Sequence, residues 1–133
     1  MYQFSLPMKV RDYEVDAEGI VNNANYLHYL EHTRHEFCDE AGLSFRRMRE
    51  LNMSPVVSRI EIDYRTPLGL GEEFVSRLTL HRRGARFMFH QWIENVKGEL
   101  VVDAMVAIVN VADGRLTRGD ELAEAFAGYL LEE

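Results

Sequence analysis

The chain has 133 residues, of which 47% are hydrophobic and 28% are charged, and its formal net charge is −7. These values are typical of globular proteins, so we expect residues 1–133 to form a single domain, and the negative charge argues against general nucleic-acid binding. No long apolar run predicts a membrane span and no signal-peptide pattern opens the chain, so a cytoplasmic location is expected.

The first predicted elements are a strand and a long helix. Residues 4–11 form a predicted strand, in which Pro7 indicates an edge position or a bulge. After an acidic loop, apolar side chains recur at intervals of three and four from about residue 25 to 41, which predicts a helix with a wide buried stripe. Gly42 is placed to end this helix, and Ser44 can cap a short second helix over residues 44–52.

The remainder of the chain predicts an antiparallel sheet. Residues 56–64 alternate apolar and polar side chains, which is the pattern of a half-buried strand. Residues 72–83 and 86–95 alternate in the same way on either side of a glycine turn. Residues 100–111 are apolar on both faces, as a covered central strand would be. One long helix with about five antiparallel strands predicts an α+β domain.

The acidic loop brings a carboxylate to the start of the long helix. Asp16 could act there as a base or a nucleophile, while the first helical turn offers unpaired backbone N–H groups and a partial positive charge. A carbonyl oxygen that gains negative charge would be stabilised at this position. An acid next to a helix start is more often a cap or a solvated charge, so the local pattern alone leaves both interpretations open.

The run from Asp16 to Glu31 reads DAEGIVNNANYLHYLE and contains the pattern D-x-x-G-x-V-x-x-x-x-Y. It resembles the active-site segment of hotdog-fold acyl-CoA thioesterases, the 4-hydroxybenzoyl-CoA thioesterase superfamily, and the resemblance spans essentially the whole chain. It implies the hotdog fold, in which an antiparallel sheet wraps a long central helix. It also implies hydrolysis of an acyl-CoA thioester to a free acid and CoA, without a cofactor or a metal.

The resemblance gives roles to single residues of this segment. A carboxylate at the position of Asp16 attacks the thioester carbonyl or activates a water, and the backbone N–H near Asn23 polarises the thioester oxygen. Gly19 allows a turn or a close approach of the substrate, and an ordinary turn glycine is an equal alternative. Asn22 or Asn23 can cap the helix, which leaves the other to contact the substrate. Many relatives have His where this chain has Ile20, which favours a carboxylate mechanism.

Other titratable residues are weaker candidates. Asp12 and Glu14 lie near Asp16, and Glu31 lies on the helix, where an acid activates water in some relatives. The position of the family's acid favours Asp16. The helix also carries three histidines at intervals of four and three, but no H-E-x-x-H pattern is present, so no metal site is predicted. The single cysteine, Cys38, cannot form an internal disulfide and is expected to pack in the helix core.

Substrate contacts follow from the chemistry of acyl-CoA. CoA carries several negative charges, so an acidic protein must offer a local basic patch, for which Arg82, Arg83 and Arg86 at the predicted hairpin turn are the first candidates. Arg59 and Arg65 are the second candidates. The acyl group is expected between the helix and the sheet of a partner subunit, against a wall to which Tyr26, Tyr29, Tyr64, Phe87 and Met88 contribute.

A helix on a sheet covers one face of that sheet only, so we expect a homodimer or a homotetramer. The arginines of segment 44–52 could meet an acidic acyl carrier protein, which makes carrier-bound acyl groups an alternative substrate. A non-catalytic acyl-CoA binding protein on the same fold is the rival from another class. A hydratase is disfavoured, because the chain lacks an Asp and His pair at the spacing of such relatives.

Overall fold

The computed structural model describes residues 2–131. A single 3-10 turn, Asp12–Glu14, precedes the first helix. The helices are α1 (Asn23–Glu40), α2 (Phe45–Glu50) and α3 (Asp120–Ala125). The strands are β1 (Phe4–Lys9), β2 (Ser54–Tyr64), β3 (Glu73–Arg83), β4 (Arg86–Asn95), β5 (Leu100–Ala112) and β6 (Arg115–Leu116). The α+β prediction is therefore confirmed, with five long strands and one short one.

The strands form one antiparallel sheet in the order β1-β3-β4-β5-β2, and β6 pairs with β5. Pro7 lies in β1 at one edge of the sheet, where proline is tolerated, so the predicted edge position is confirmed. β5 lies between β4 and β2, as its apolar pattern predicted. β2 forms the opposite edge.

The ends of the first two helices are set by local chemistry. The side chain of Asn22 accepts a hydrogen bond from the N–H of Ala24, so α1 begins at Asn23, two residues earlier than predicted. Gly42 has a φ of +81° just beyond the last helical turn, a conformation that suits glycine. Ser44 accepts from the N–H of Arg47 and caps α2, as predicted.

α1 packs on one face of the sheet and holds two groups of core side chains together. Phe37 lies fully buried with Leu78 and Leu80 of β3 and Phe87 and Phe89 of β4. About two turns nearer the helix start, a second group joins α1 to the opposite end of the sheet; it includes Tyr29, Leu30, Phe74, Ile93 and Val102. The start of α1 and the loop before it are thus fixed at the end of the sheet where β2 ends and β3 begins.

Two features differ from the prediction. β2 is not half-buried: Val56, Ile60 and Tyr64 are 43%, 39% and 45% exposed. A bulge between Val57 and Arg59 breaks the predicted alternation, so that Val56 and Ile60, opposite Val109 and Val106 of β5, lie on different faces of the sheet. β2 is an edge strand, and none of the described residues pairs along its outer side. The sequence also gave no signal for α3, a six-residue helix whose Leu122 and following Phe126 are buried in the core. Its few apolar positions are too short a pattern to show helical periodicity.

Candidate active site

The acidic loop closes on itself through backbone hydrogen bonds. Val15 and Val21 form an antiparallel bridge, and between them the N–H of Asp16 donates to the carbonyl of Ile20 at 2.8 Å. The N–H of Gly19 donates back to the carbonyl of Asp16 at 3.0 Å, and Gly19 has a φ of +78°. Other residues rarely adopt this φ, so Gly19 makes the turn that was predicted for it.

The Asp16 side chain lies on the exposed side of this loop. One carboxylate oxygen, Oδ1, accepts hydrogen bonds from the N–H groups of Glu18 at 2.9 Å and Ile20 at 3.4 Å. Among residues 2–131, no donor bonds the other oxygen, Oδ2. The loop therefore fixes the carboxylate through one oxygen and leaves the other available to a water or a substrate.

The start of α1 provides an unpaired donor next to this loop. Asn22 uses its side-chain oxygen to cap Ala24 and its carbonyl to accept from Asn25, so capping is the role of this member of the asparagine pair. The backbone N–H of Asn23 has no acceptor within the described part of the chain. A helix N-terminus carries a partial positive charge, so this N–H can stabilise an oxyanion. Any contact of Asn22 with a substrate would use its side-chain nitrogen.

Glu14 holds the loop against the helix. Its carboxylate is 8% exposed and accepts from the N–H of Arg11 at 2.7 Å and from the hydroxyl of Tyr29 at 2.9 Å. Its carbonyl accepts from the N–H of Asn22 and the side-chain nitrogen of Asn25. Burial and the bond to Glu14 both raise the pKa of Tyr29, which keeps the phenol protonated as the donor. Glu14 is therefore a structural residue and no rival to Asp16.

Two of the predicted wall residues lie beside the helix start. Tyr26 and Tyr64 line a small cavity of about 120 Å³ that also includes Asn23 and Arg65. The Tyr64 hydroxyl donates to the carbonyl of Asn23 at 3.3 Å, and the two tyrosine rings lie 5.6 Å apart. Tyr26 accepts a hydrogen bond from the N–H of Leu68. The structure thus brings Tyr26 and Tyr64 together beside Asn23, and their contact with an acyl group stays a prediction.

The predicted arginine patch, Arg82, Arg83 and Arg86, lies away from the acidic loop. The Arg82 guanidinium donates to the carbonyl of Arg118 and to Asp120 at 2.7 Å, so it holds the start of α3 against the β3–β4 hairpin. Arg83 and Arg86 lie at the turn of that hairpin. The acidic loop bonds residues 68–70, just before the other end of β3, and ten residues of strand span roughly 33 Å. Within one chain, the patch is therefore not brought to Asp16.

Arg65 is the predicted arginine that lies near the helix start. It follows β2 directly and lines the small cavity next to Asn23. Arg59, the other second candidate, forms an ion pair with Glu61 on the strand surface. The sequence could not show which of these arginines lies near the start of α1, because it does not show which end of each strand meets the acidic loop.

Cys38 has the properties of a packing residue. Burial raises the pKa of its thiol to about 12, and the thiolate is the reactive form. We therefore expect the native protein not to react with DTNB at about pH 8, while the denatured chain releases one equivalent, since it has one cysteine. Reaction of the folded protein at the rate of free cysteine would contradict this assignment.

The described residues contain no group of three or more His, Cys, Asp or Glu side chains that could hold a metal ion. None of their helices is long and apolar enough to cross a membrane.

The sequence model of the thioesterase-like superfamily matches residues 10–128. The chain belongs to this family. The predicted resemblance is thereby confirmed, and the match covers the acidic loop, both core groups and nearly the whole sheet.

Relatives within this family support the same grouping. The long-chain acyl-CoA thioesterase FadM of Escherichia coli is 34% identical over 104 residues, which are 77% of this chain and 78% of FadM. The chloroplastic acyl-acyl carrier protein thioesterase ATL3 of Arabidopsis thaliana is 34% identical over 87 residues, 65% of this chain and 46% of that protein. This chain thus spans about half the length of its plant relatives.

Solved structures confirm the hotdog fold. The probable thioesterase YbaW of Escherichia coli is 29% identical and superposes with a TM-score of 0.81 over 96% of this chain and 98% of that one. A hypothetical protein from Thermus thermophilus is 25% identical, with a TM-score of 0.88 over 98% of this chain and all of the other. The long helix and the order of the strands are therefore those of the family.

Proposed function

We propose that this protein hydrolyses acyl-CoA thioesters to a free carboxylic acid and CoA. The observation that carries the proposal is a loop, closed by the Val15–Val21 bridge, that leads from the Asp16 carboxylate, whose Oδ2 bonds no described donor, to the unpaired N–H of Asn23 at the start of α1. Thioester hydrolysis needs both, a group that delivers oxygen to the carbonyl carbon and a fixed donor for the oxyanion. FadM, a relative over most of its length, is named as a long-chain acyl-CoA thioesterase.

The proposed reaction begins with attack on the thioester carbonyl, either by a water that gives its proton to Asp16 or by Oδ2 of Asp16 itself. The oxygen of the tetrahedral intermediate accepts a hydrogen bond from the N–H of Asn23. The C–S bond then breaks, and the CoA sulfur leaves as a thiolate that takes up a proton from Asp16 or from water. The water route gives the free acid at this step, whereas direct attack leaves an anhydride with Asp16 that a water then opens. Gly19 makes the turn of the loop, and Arg65, which lines the small cavity with Asn23, is our candidate cation for the CoA phosphates.

A homodimer would complete this site. β2 is an eleven-residue edge strand with exposed Val56, Val57, Ile60 and Tyr64, whereas the opposite edge, β1, is short and contains Pro7. Exposed apolar edge strands pair with a second chain. Two copies of β2 paired about a two-fold axis run antiparallel, so the Ser54 end of one meets the Tyr64 end of the other. The hairpin with the partner's Arg83 and the partner's Arg86 then lies on the side of the acidic loop.

We expect Ile60→Lys to convert the dimer to a monomer, because it places a charge in the middle of the unpaired edge. Light scattering coupled to size exclusion measures the mass. Val96→Lys is the matched control, since Val96 is a 72% exposed apolar residue in the β4–β5 turn, away from β2. A dimer that survives Ile60→Lys unchanged would contradict pairing through β2.

Thiol release from a panel of short, long and aromatic acyl-CoAs tests the proposed activity. Release of CoA from at least one member supports a thioesterase, and the buried Cys38 keeps the protein's own signal low. Calorimetric binding of acyl-CoA without any thiol release would instead favour the binding protein.

An acyl carrier protein is the second candidate for the acyl donor. ATL3 and ATL2, which match this chain at 34% and 35% identity, are named for carrier-bound substrates. α2 presents Arg46, Arg47 and Arg49 on the protein surface, where they could contact an acidic carrier. The values of kcat/KM for one acyl group on CoA and on carrier protein decide between the two donors.

A further inference from the structure

A second cavity, of about 470 Å³, lies between α1, α2, β2 and α3 and shares no residue with the acidic loop or the small cavity beside Asn23. Its floor is apolar and consists of Met48, Met53, Phe89, Ile108, Leu122 and Phe126. This volume falls within the range of small-molecule sites, which are mostly apolar with a few polar groups. An apolar chain of moderate length fits such a floor.

One charged residue of the cavity wall is buried. Arg34 is 8% exposed, and its Nη1 donates to Oε1 of Gln91 at 2.9 Å. Gln91 is itself fully buried and donates to the carbonyl of Leu30 at 3.0 Å. Within residues 2–131, Arg34 forms no ion pair and no other hydrogen bond. A buried cation held by one neutral group retains donors for an anion.

One acid of the cavity wall acts on Arg34 without forming an ion pair with it. Burial lowers the pKa of the Arg34 guanidinium, and the charge of Glu31, one turn earlier on α1, raises it in part, but Glu31 is exposed and makes no ion pair with Arg34 among the described residues. Burial lowers the pKa of His35, which keeps its ring neutral at about pH 7. Arg49 adds a second cation at the rim, and burial keeps the Cys38 thiol neutral. The cavity therefore combines an apolar floor with an excess of positive charge.

We propose that this cavity binds a carboxylate on an apolar chain, with the carboxylate on Arg34 and the chain on the methionine and phenylalanine floor. Arginine suits this ligand, because its planar fork can donate two parallel hydrogen bonds to a carboxylate. The carboxylate has two sources: the far end of a dicarboxylic acyl group or a free fatty acid. The dicarboxylic acyl group rests on the proposed function, and so does the free fatty acid where it is a product of the reaction.

Methionine methyl NMR tests binding without requiring turnover. Met48 and Met53 line the cavity, whereas Met88 and Met105 occupy outward positions of β4 and β5, so the latter pair is an internal control. Decanoate is expected to shift the Met48 and Met53 signals and leave the control pair in place. Decanol, which has the same chain without the negative charge, should shift the same two signals at higher concentration. Unchanged Met48 and Met53 signals at saturating decanoate would overturn the proposal.

The Arg34→Met variant tests whether the charge of Arg34 contributes to ligand binding beyond what the apolar cavity supplies. Loss of a charge-assisted hydrogen bond should weaken decanoate binding roughly tenfold or more, while decanol binding stays within about twofold. Arg34→Lys keeps the charge and should recover part of the decanoate affinity. Equal weakening of both ligands by Arg34→Met would overturn the role of Arg34, and retained decanol binding shows that the variant is folded.

Kinetics distinguish the two sources of the carboxylate. If it belongs to the substrate, Arg34→Met lowers kcat/KM for decanedioyl-CoA more than for decanoyl-CoA. If it belongs to a free acid, decanoate inhibits the wild type and inhibits Arg34→Met less. NMR shifts at Met48 and Met53 in a protein that cleaves no thioester would support the cavity proposal and refute the proposed function, so the two can fail separately.

Discussion

Asp16→Asn is expected to lower kcat for thioester hydrolysis by about 10²–10⁴-fold, the usual contribution of a positioned acid or base, with little change in KM. The amide oxygen of asparagine can still accept from the N–H groups of Glu18 and Ile20, so the loop keeps its shape. The substitution thus removes the charge and basicity of the second oxygen. Steady-state thiol release measures the effect.

Glu18→Gln is the matched control for Asp16→Asn. Glu18 is an exposed acid in the same loop, and it contacts Asp16 through its backbone N–H only. Its substitution removes the same charge two residues away, and we expect kcat within about twofold of wild type, as for a surface charge. If Asp16→Asn retains full turnover, or if Glu18→Gln loses as much, Asp16 is not the reacting carboxylate.

Asn23→Pro is expected to lower kcat by about 10²–10³-fold, the cost of removing one oxyanion donor. Proline lacks the N–H, and it is well tolerated at the first position of a helix, which Asn23 occupies. The preceding residue, Asn22, has φ −65° and ψ +142°, a conformation that a following proline favours. The variant therefore deletes a single donor while the helix start remains compatible with its neighbours.

Asn23→Ala provides the comparison for this backbone effect. It removes the side chain and keeps the N–H, so we expect its kcat to remain within about threefold of wild type, far from the loss of an oxyanion donor. Thermal unfolding of both variants checks that the proline is accommodated. Equal activity of Asn23→Pro and Asn23→Ala would show that this N–H does not contact the reacting oxygen.

Elements whose side chains carry their own periodic signal could be predicted from the sequence. β4 begins and ends where predicted, at Arg86 and Asn95, because its apolar alternation is complete and a glycine turn bounds it. The exposure of β2 could not be predicted, since the alternating pattern shows neither the bulge between Val57 and Arg59 nor whether another layer covers the strand. That depends on the position of the strand in the sheet, which only the tertiary structure sets.

The candidate site was predictable where neighbours in sequence form it, as in the turn of Gly19 and the cap of Asn22. Glu14 and Tyr29 could not be paired in advance, because their bond joins residues separated by the whole loop. Arg34 gave no sign of burial either. It occupies the buried stripe of α1, but its hydrogen-bond partner Gln91 comes from β4, distant in the sequence. Contacts between elements are thus what the sequence did not disclose.

Product analysis in oxygen-18 water tests the central claim most directly. The wild-type protein is incubated with an acyl-CoA through many turnovers, and CoA and free acid are quantified by mass spectrometry, with Asp16→Asn alongside. We expect equal amounts of CoA and oxygen-18-labelled acid from the wild type, since either route through Asp16 ends in hydrolysis by water, and almost none from the variant. Acyl-CoA that binds the wild-type protein and is recovered intact would contradict the account.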